Sequence, residues 1–170
     1  MSDAINIFRS RRSCKHYDGR PVSEEQLSAI LEAGEYAPSG MNKQSAVMLA
    51  VRDRELIKKL SRMNAQVMGA DIDPFYGAAT VVIVLADKNV STYLYDGSLV
   101  MGNLLNAAEA VGVQGCWIHR AKQMFETEEG KEILKKAGIK GDYEGIGCCI
   151  LGYGEKQPEK PHKDNYVYYL

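Results

Sequence analysis

The sequence predicts one domain of mixed helix and strand, in which helices cover both faces of a small sheet. Two segments, residues 79–86 (ATVVIVLA) and 144–153 (EGIGCCILGY), are too apolar to have a face in water. Segments with helical spacing separate these and two further strand-like runs. The 170 residues contain no internal repeat and no linker, so we expect residues 1–170 to form a single domain.

The N-terminal half is predicted to hold three helices and two strands. Residues 3–9 favour a short helix. Ser23 begins a second helix with the capping-box sequence SEEQ, in which Gln26 follows the cap by three residues, and this helix should end before Pro38. We then expect a loop at residues 37–45 and a buried strand at 46–51. A charged amphipathic helix follows at 53–68, and a central strand buried on both faces at 79–86.

The C-terminal half begins with a long helix at residues 93–111 that is apolar on nearly all sides. Such a helix is buried on several faces, and either a partner subunit or the core of one chain can bury them. A strand at 112–118, an exposed helix at 127–137 and a buried strand at 144–153 follow. The remaining tail is first polar and interrupted by prolines, then ends in the apolar YVYYL.

Composition and charge exclude several classes of protein. The net charge is −1, from 21 basic and 22 acidic residues, which argues against binding nucleic acid. No apolar run approaches the ~20 residues of a membrane span, so we expect no membrane association, and the N-terminus lacks the apolar segment of a signal peptide. The four cysteines form no CxxC pair, so we expect buried, reduced thiols and a cytoplasmic location.

Common catalytic and metal-binding motifs are missing. The patterns GxSxG, GxxxxGK[ST] and GxGxxG do not occur. The histidines, His16, His119 and His162, are far apart in sequence and lack metal-ligand spacing, so we expect no metal site.

Three polar segments are therefore the candidate sites, and the first lies in RSRRSCKHYDG, residues 9–19. It contains Arg11, Arg12, Ser13 and Lys15. Alternation in an extended segment would put the first, third and fourth of these on one side, where their donors could hold a phosphate or a polar ring edge. For this segment alone, a solvated run of charge is the favoured alternative.

The second and third polar segments contain Ser39, Gly40, Asn42 and Gln44, and Lys160, His162 and Lys163, respectively. Carboxamides on a loop can bond the edge of a heterocycle, although simple turn chemistry is an equal alternative. The third segment is rigid and basic and could meet a phosphate. The alternative is a frayed tail, but the apolar YVYYL should dock somewhere.

Taken in order, these segments resemble the nitroreductase family of flavin-dependent oxidoreductases. RRSCKHYD is similar to that family's RRSxRxF signature, and EAGEYAPSGMNKQSAVMLAVRD to its AxxAPSxxNxQPWxFxVV segment. GNLLNAAEAVGVQGCWI is similar to its helix followed by GLGSCWIG, and ILGYGEKQPEKPHK to its GYPxExPxPRxRK tail. The resemblance covers residues 6–164, nearly the whole chain.

The resemblance implies an α+β, nitroreductase-like fold with a central mixed β-sheet of about four to five strands, covered by helices, in an intertwined homodimer. Two FMN molecules would sit at the subunit interface, and the tail, about residues 154–170, would pack on the partner subunit. The residues implied to bind FMN are Arg11, Arg12, Ser13, Lys15, Ser39, Asn42, Gln44, Gly115, Cys116, Lys160, His162 and Lys163.

The resemblance also implies roles within this set. Asn42 would bond the flavin ring, and backbone groups of Gly115–Cys116 would lie near its reactive nitrogen. The Cys116 side chain itself is expected to be a packing residue, and the alternative is a thiol that takes part in the chemistry. Lys160 and either His162 or Lys163 would reach the phosphate. Arg9 is expected to be scaffold or surface, so Arg11→Ala should weaken FMN retention far more than Arg9→Ala.

Three departures from the family pattern affect these expectations. Gln44-Ser45-Ala46 replaces Gln-Pro-Trp, which removes an aromatic side chain, and His162 stands where arginine is usual. Residues 68–77 form a short segment where longer members insert helices over the active site. We therefore expect an open, shallow pocket, which argues against narrow substrate specificity.

The expected function is ping-pong hydride transfer from NADH or NADPH through FMN to nitroaromatic, quinone or flavin-type acceptors. The alternative is a flavin-binding or electron-transfer protein without nitro-compound turnover, reduced by a protein partner such as ferredoxin. Dehalogenation and flavin fragmentation are disfavoured because they need a lid over the substrate.

Overall fold

The computed structural model describes residues 3–170, which form a four-stranded sheet and a two-stranded sheet. The strands are β1 (Cys14–Tyr17), β2 (Ala46–Val51), β3 (Thr80–Asp87), β4 (Gln114–Ile118), β5 (Tyr143–Gly152) and β6 (Gly154–Lys156). The main sheet has the order β2-β3-β5-β4, and each neighbouring pair is antiparallel. The smaller sheet pairs β1 with β6.

Helices cover both faces of the main sheet, as expected. They are α1 (Asp3–Ser10), α2 (Glu24–Glu35), a 3₁₀ turn (Gly40–Asn42), α3 (Arg54–Met68), α4 (Tyr93–Ala110), α5 (Ala121–Glu126) and α6 (Glu128–Lys136). Buried side chains of α2 and α4 form one core layer with the sheet, and those of α3, α5 and α6 form the other.

The apolar run of β3 explains its central place in the sheet. Val81 and Ile83 belong to the core layer under α3, whereas Val82 and Val84 belong to the layer under α2 and α4. Because successive side chains of a strand point to opposite faces, an uninterrupted apolar strand fits only where both faces are covered.

The cysteines are buried free thiols, as predicted. On β5, Cys148 faces the α3 layer and Cys149 faces the α2–α4 layer. Burial raises the pKa of the Cys148 thiol to about 12, so this thiol stays protonated at neutral pH.

Helix ends follow the capping signals in the sequence. The Ser23 hydroxyl accepts the Gln26 N–H at 3.1 Å at the start of α2. The Gln26 side chain departs from a capping box, because its Oε1 accepts from the Ser23 hydroxyl at 3.0 Å rather than from the Ser23 N–H. Its Nε2 donates to the carbonyl of Val111 at 2.8 Å. Asp53 caps α3 by accepting the Leu56 N–H at 2.7 Å.

Several features differ from the sequence prediction. β2 was expected to be buried, but it is an edge strand and mostly half-exposed. α5 was not predicted; six residues give too little helical periodicity, and burial of Met124 and Phe125 stabilises it. The four main strands are antiparallel rather than mixed, and the parallel pairing within residues 3–170 is a single bridge between Ser13 and Gly115.

Candidate functional site

Basic side chains from both ends of the chain line one cavity of about 920 Å³, which we name the cationic cavity. The structure therefore brings the first and third predicted segments together. Arg9, expected to be scaffold or surface, also lies in the lining. The polar and charged side chains of the lining include Arg9, Arg11, Arg12, Ser13, Lys15, Glu159, Lys160 and His162.

Pairing of β1 with β6 joins these two segments. Cys14 lies opposite Lys156 in the antiparallel ladder, and the Gln157 N–H donates to the carbonyl of Ser13 at 2.8 Å. The tail therefore leaves β6 beside Ser13, and its next residues line the cavity. The sequence does not reveal this pairing, because β6 is three exposed residues without an apolar pattern.

The cations of the cavity differ in how they are held. The Arg12 guanidinium forms an ion pair with Glu159 at 3.0 Å and donates to the carbonyls of Arg9 and Arg11 at 2.5 and 2.8 Å. Within residues 3–170, the side chains of Arg11 and Lys15 form no ion pair. Arg12 thus shapes the cavity, while Arg11 and Lys15 keep donors free for an anion.

The Ser13–Gly115 bridge places the Gly115–Cys116 stretch of β4 beside the first segment. Cys116 is buried, and burial raises the pKa of its thiol, although Ser13 and the charges of Lys15 and Arg11 act against this. A buried, protonated thiol is inert, which agrees with packing as the role of this side chain.

In the tail, His162 and Lys163 were alternative candidates for contact with the phosphate, and the structure places them differently. Lys160 and His162 line the cationic cavity, whereas Lys163 is not in the lining. The Lys163 ammonium lies 5.4 Å from the ring centroid of Tyr166, in a cation–π contact. The His162 ring also packs against Tyr166, with ring centroids 6.0 Å apart, so the cavity lining is what distinguishes the two residues.

The second predicted segment lies elsewhere in the chain. Ser39, Asn42 and Gln44 are absent from the lining of the cationic cavity, and they bond to one another. The Gln44 N–H donates to Ser39 Oγ and the Gln44 amide to Asn42 Oδ1, both at 3.0 Å. Asn42 and Gln44 have φ of 53° and 48°, a left-handed conformation that tertiary contacts must stabilise.

Asp96 on α4 anchors this loop through Gly40 and Ser45, although the sequence shows it only as one polar break in an apolar helix. Its side chain is buried and accepts hydrogen bonds from Ser45 Oγ at 2.6 Å, the Gly40 N–H at 3.0 Å and Thr92 Oγ1 at 3.1 Å. Burial acts to raise its pKa, but these hydrogen bonds outweigh it and hold the pKa of Asp96 below its usual value.

Glu109 on α4 is a second carboxylate that anchors neighbouring elements, here those beside the cationic cavity. Its carboxylate accepts from Ser10 Oγ and from Lys156 Nζ, both at 2.6 Å. Burial acts to raise the pKa of Glu109, but Lys156, Ser10 and the charge of Arg11 hold it below the ordinary value. Glu109 thereby ties the end of α1 and β6, which flank the cavity, to α4.

The short segment at residues 68–77 packs against α3 and does not line the cationic cavity. Asp73 holds its fold by accepting Ser61 Oγ at 2.5 Å and the N–H groups of Phe75 and Gly77 at 2.9 and 2.7 Å. Within a single chain, this short segment therefore neither covers nor opens the cationic cavity.

Comparison with known proteins identifies the fold. A family model described as "Nitroreductase family" matches residues 8–154. The chain belongs to the nitroreductase family. A protein of Archaeoglobus fulgidus, provisionally named an NADH dehydrogenase/NAD(P)H nitroreductase, is 31% identical over 98% of this chain and 91% of its own length.

Solved nitroreductase structures have the same fold. One from Bacteroides fragilis with bound FMN superimposes with a TM-score of 0.91 and 26% identity, and one from Desulfitobacterium hafniense with bound FMN with 0.88 and 25%. Both matches cover 100% of each chain. The nitroreductase-like fold expected from the motifs is thus confirmed. Across the described part of this nitroreductase, no helix has the length and apolar character to cross a membrane.

Two apolar surfaces of this nitroreductase chain are uncovered. On α4, Leu94, Tyr95 and Leu99 are 46–73% exposed, while the opposite side of the helix packs into the core. At the end of the tail, residues 166–170 are each at least 62% exposed. Exposed apolar surfaces of this kind are typical of contacts with another chain, a membrane or a ligand.

Proposed function

We propose that this protein is an FMN-dependent NAD(P)H oxidoreductase. The observation that carries the proposal is the cationic cavity, in which Arg11, Ser13 and Lys15 meet Lys160 and His162 from the other end of the chain. The FMN named in the two closely superimposed nitroreductase structures supports the same cofactor here.

The donor set of the cavity fits a phosphate monoester. Such a group carries about −1.5 to −2 charge at pH 7 and accepts several hydrogen bonds. Arg11 and Lys15 bring two charges that no ion pair within residues 3–170 neutralises, and Ser13 adds a hydroxyl. Glu159 also borders the cavity, but its contact with Arg12 at 3.0 Å offsets its negative charge.

Beside this phosphate site, the Gly115–Cys116 stretch would lie against the flavin ring. Its link to Ser13 through the parallel bridge supports that placement. We propose that backbone groups there orient the ring and that the protonated Cys116 thiol takes no part in the chemistry. The nearby charge of Lys15 would stabilise negative charge on a reduced ring.

We further propose a homodimer with FMN at the interface. The Ser39–Gln44 loop does not reach the cationic cavity of its own chain, so the loop of the partner subunit would complete the site with Asn42. The uncovered apolar face of α4, with Leu94, Tyr95 and Leu99, would form the interface. The exposed tail, residues 154–170, would pack on the partner.

Bound FMN would supply the redox chemistry, taking a hydride from NADH or NADPH and, after the oxidised nicotinamide leaves, reducing nitroaromatic, quinone or flavin-type acceptors. The chain itself would bind the phosphate and orient the ring. Hydride transfer of this kind requires no dedicated acid–base pair.

The test is the absorption spectrum of the purified protein, reconstituted with FMN where necessary. We expect about one FMN per chain, a dimer by light scattering, and bleaching of the flavin band by NADH or NADPH without oxygen. A protein that FMN cannot reconstitute would refute the proposal. Retained flavin that neither nucleotide bleaches would favour the alternative, an electron-transfer protein reduced by a protein partner.

A further inference from the structure

A second cavity, of about 450 Å³, lies between α3 and residues 72–79, and we name it the α3 cavity. It shares no lining residue with the cationic cavity. Buried Ile57 and Phe75 contribute to its apolar wall, and Ile72 reaches the surface with half of its area exposed. Pockets of ~300–1,000 Å³ with mostly apolar walls and a few polar groups are typical small-molecule sites.

The polar side of the α3 cavity is cationic. Arg54, Lys58 and Arg62 recur every four residues on α3, so they share one face of the helix. Lys58 pairs with Glu55 at 2.8 Å, and Arg54 donates only weakly to the carbonyl of Gly19, at 3.5 Å. In the described chain, Arg62 forms no ion pair. Two guanidinium groups therefore keep donors for a ligand.

The one acidic residue of the lining, Asp73, forms no ion pair with these cations within residues 3–170, and the two unpaired guanidinium groups outnumber it. Asp73 directs its carboxylate at Ser61 and at the N–H groups of Phe75 and Gly77, as described above. These three donors use its acceptors to fix the loop. The cavity thus offers apolar contact and cationic donors, but no free carboxylate to bind a cation.

We propose that the α3 cavity binds a small organic anion with an apolar body, an aromatic carboxylate. Its acid group would bond Arg62, while Arg54, two helical turns away, adds positive charge, and its body would pack against Ile57, Ile72 and Phe75. Guanidinium donors suit a planar carboxylate because the two can form paired hydrogen bonds. This site lies outside the proposed redox site and does not depend on it.

Calorimetric titration of the full-length protein with 2-naphthoate tests the proposal, with and without added FMN. We expect one saturable site per chain whose affinity FMN leaves unchanged. The neutral analogue 2-naphthalenemethanol should bind at least about tenfold more weakly, because it cannot form a charge-assisted pair. If the purified protein proves unable to bind FMN, the titration with 2-naphthoate is still carried out. Binding of 2-naphthoate would then support the α3 cavity site even though the proposed function had failed.

Variants locate the site. Arg62→Ala should weaken 2-naphthoate about tenfold. The matched control is Lys59→Ala, on the same helix, which removes an equal charge that pairs with Glu129 at 2.8 Å outside the cavity lining, and it should change nothing. Ile72→Glu should abolish binding, whereas Ile72→Leu should retain it.

Several results would overturn the proposal. No saturable binding, including the case in which a partner subunit fills the cavity, would do so. If Arg62→Ala and Lys59→Ala weaken 2-naphthoate binding equally, the effect reflects the overall charge of the protein and not a contact in the cavity. If FMN competes with 2-naphthoate, the ligand binds in the cationic cavity and not in the α3 cavity.

Discussion

Arg11 offers the sharpest test of the phosphate site. Its side chain lines the cationic cavity and forms no ion pair in the described chain, so Arg11→Ala breaks no such contact of the folded protein. A hydrogen bond to a charged group contributes about 1.5–3 kcal/mol, and the half-exposed position of Arg11 favours the lower part of that range. We expect the Kd for FMN to rise about tenfold, by the usual conversion of 1.4 kcal/mol.

The assay is titration of FMN fluorescence with apoprotein at two salt concentrations. The matched control is Arg52→Ala, which removes an arginine outside the cavity that pairs with Glu24 at 3.2 Å, and it should leave the Kd unchanged. Arg9→Ala should have a smaller effect than Arg11→Ala, because Arg9 sits on the exposed end of α1. Higher salt should reduce the difference between wild type and Arg11→Ala. Equal Kd values for Arg11→Ala and Arg52→Ala would refute the phosphate site.

Three further predictions concern residues that hold the fold around the sites. Glu109→Gln should lower the free energy of unfolding by about 1–2 kcal/mol, discounted because Lys156 is one-third exposed. Since the folded pKa of Glu109 is lowered, its contribution is present above the ordinary carboxyl pKa and is lost as pH falls through the folded pKa, so urea titrations should show a difference at pH 7 that vanishes in acid. Asp96→Asn should speed amide hydrogen exchange at Gly40, and unchanged exchange there would contradict its anchoring role. Leu104→Ala, at a fully buried site, should cost about 2–5 kcal/mol in chemical denaturation, and a cost below 1 kcal/mol would mean that the core layer is loose.

Much of the fold was predictable because local patterns and tertiary packing agree. β3 is apolar at every interior position and lies between two layers, and Ser23 caps α2 where its sequence signal stands. α5 and β6 were not predictable for a common reason. Each is short, and each is stabilised by tertiary contacts rather than by its own sequence pattern. Met124 and Phe125 of α5 are buried in the core, and β6 pairs with β1.

The candidate site divides in the same way. The first segment was identifiable because four polar residues cluster in an otherwise neutral chain, and the third because basic residues follow prolines. Their meeting depends on the β1–β6 pairing, which has no sequence signal. Asp96 and Glu109 each lie on an apolar helix, so the sequence marks them as exceptions but cannot name their partners.

The counter-charges around residues 9–19 bear on whether this cation-rich stretch is a solvated run or an anion site. Glu159 pairs with Arg12 and Glu109 with Lys156, so acidic groups neutralise some cations around the cavity. Arg11 and Lys15 carry no such partner in the described chain, although Glu109 lies close enough for Arg11 to affect its pKa. Unpaired cations inside a cavity favour the proposed anion site over a solvated run of charge, and the FMN titration of Arg11→Ala decides between the two.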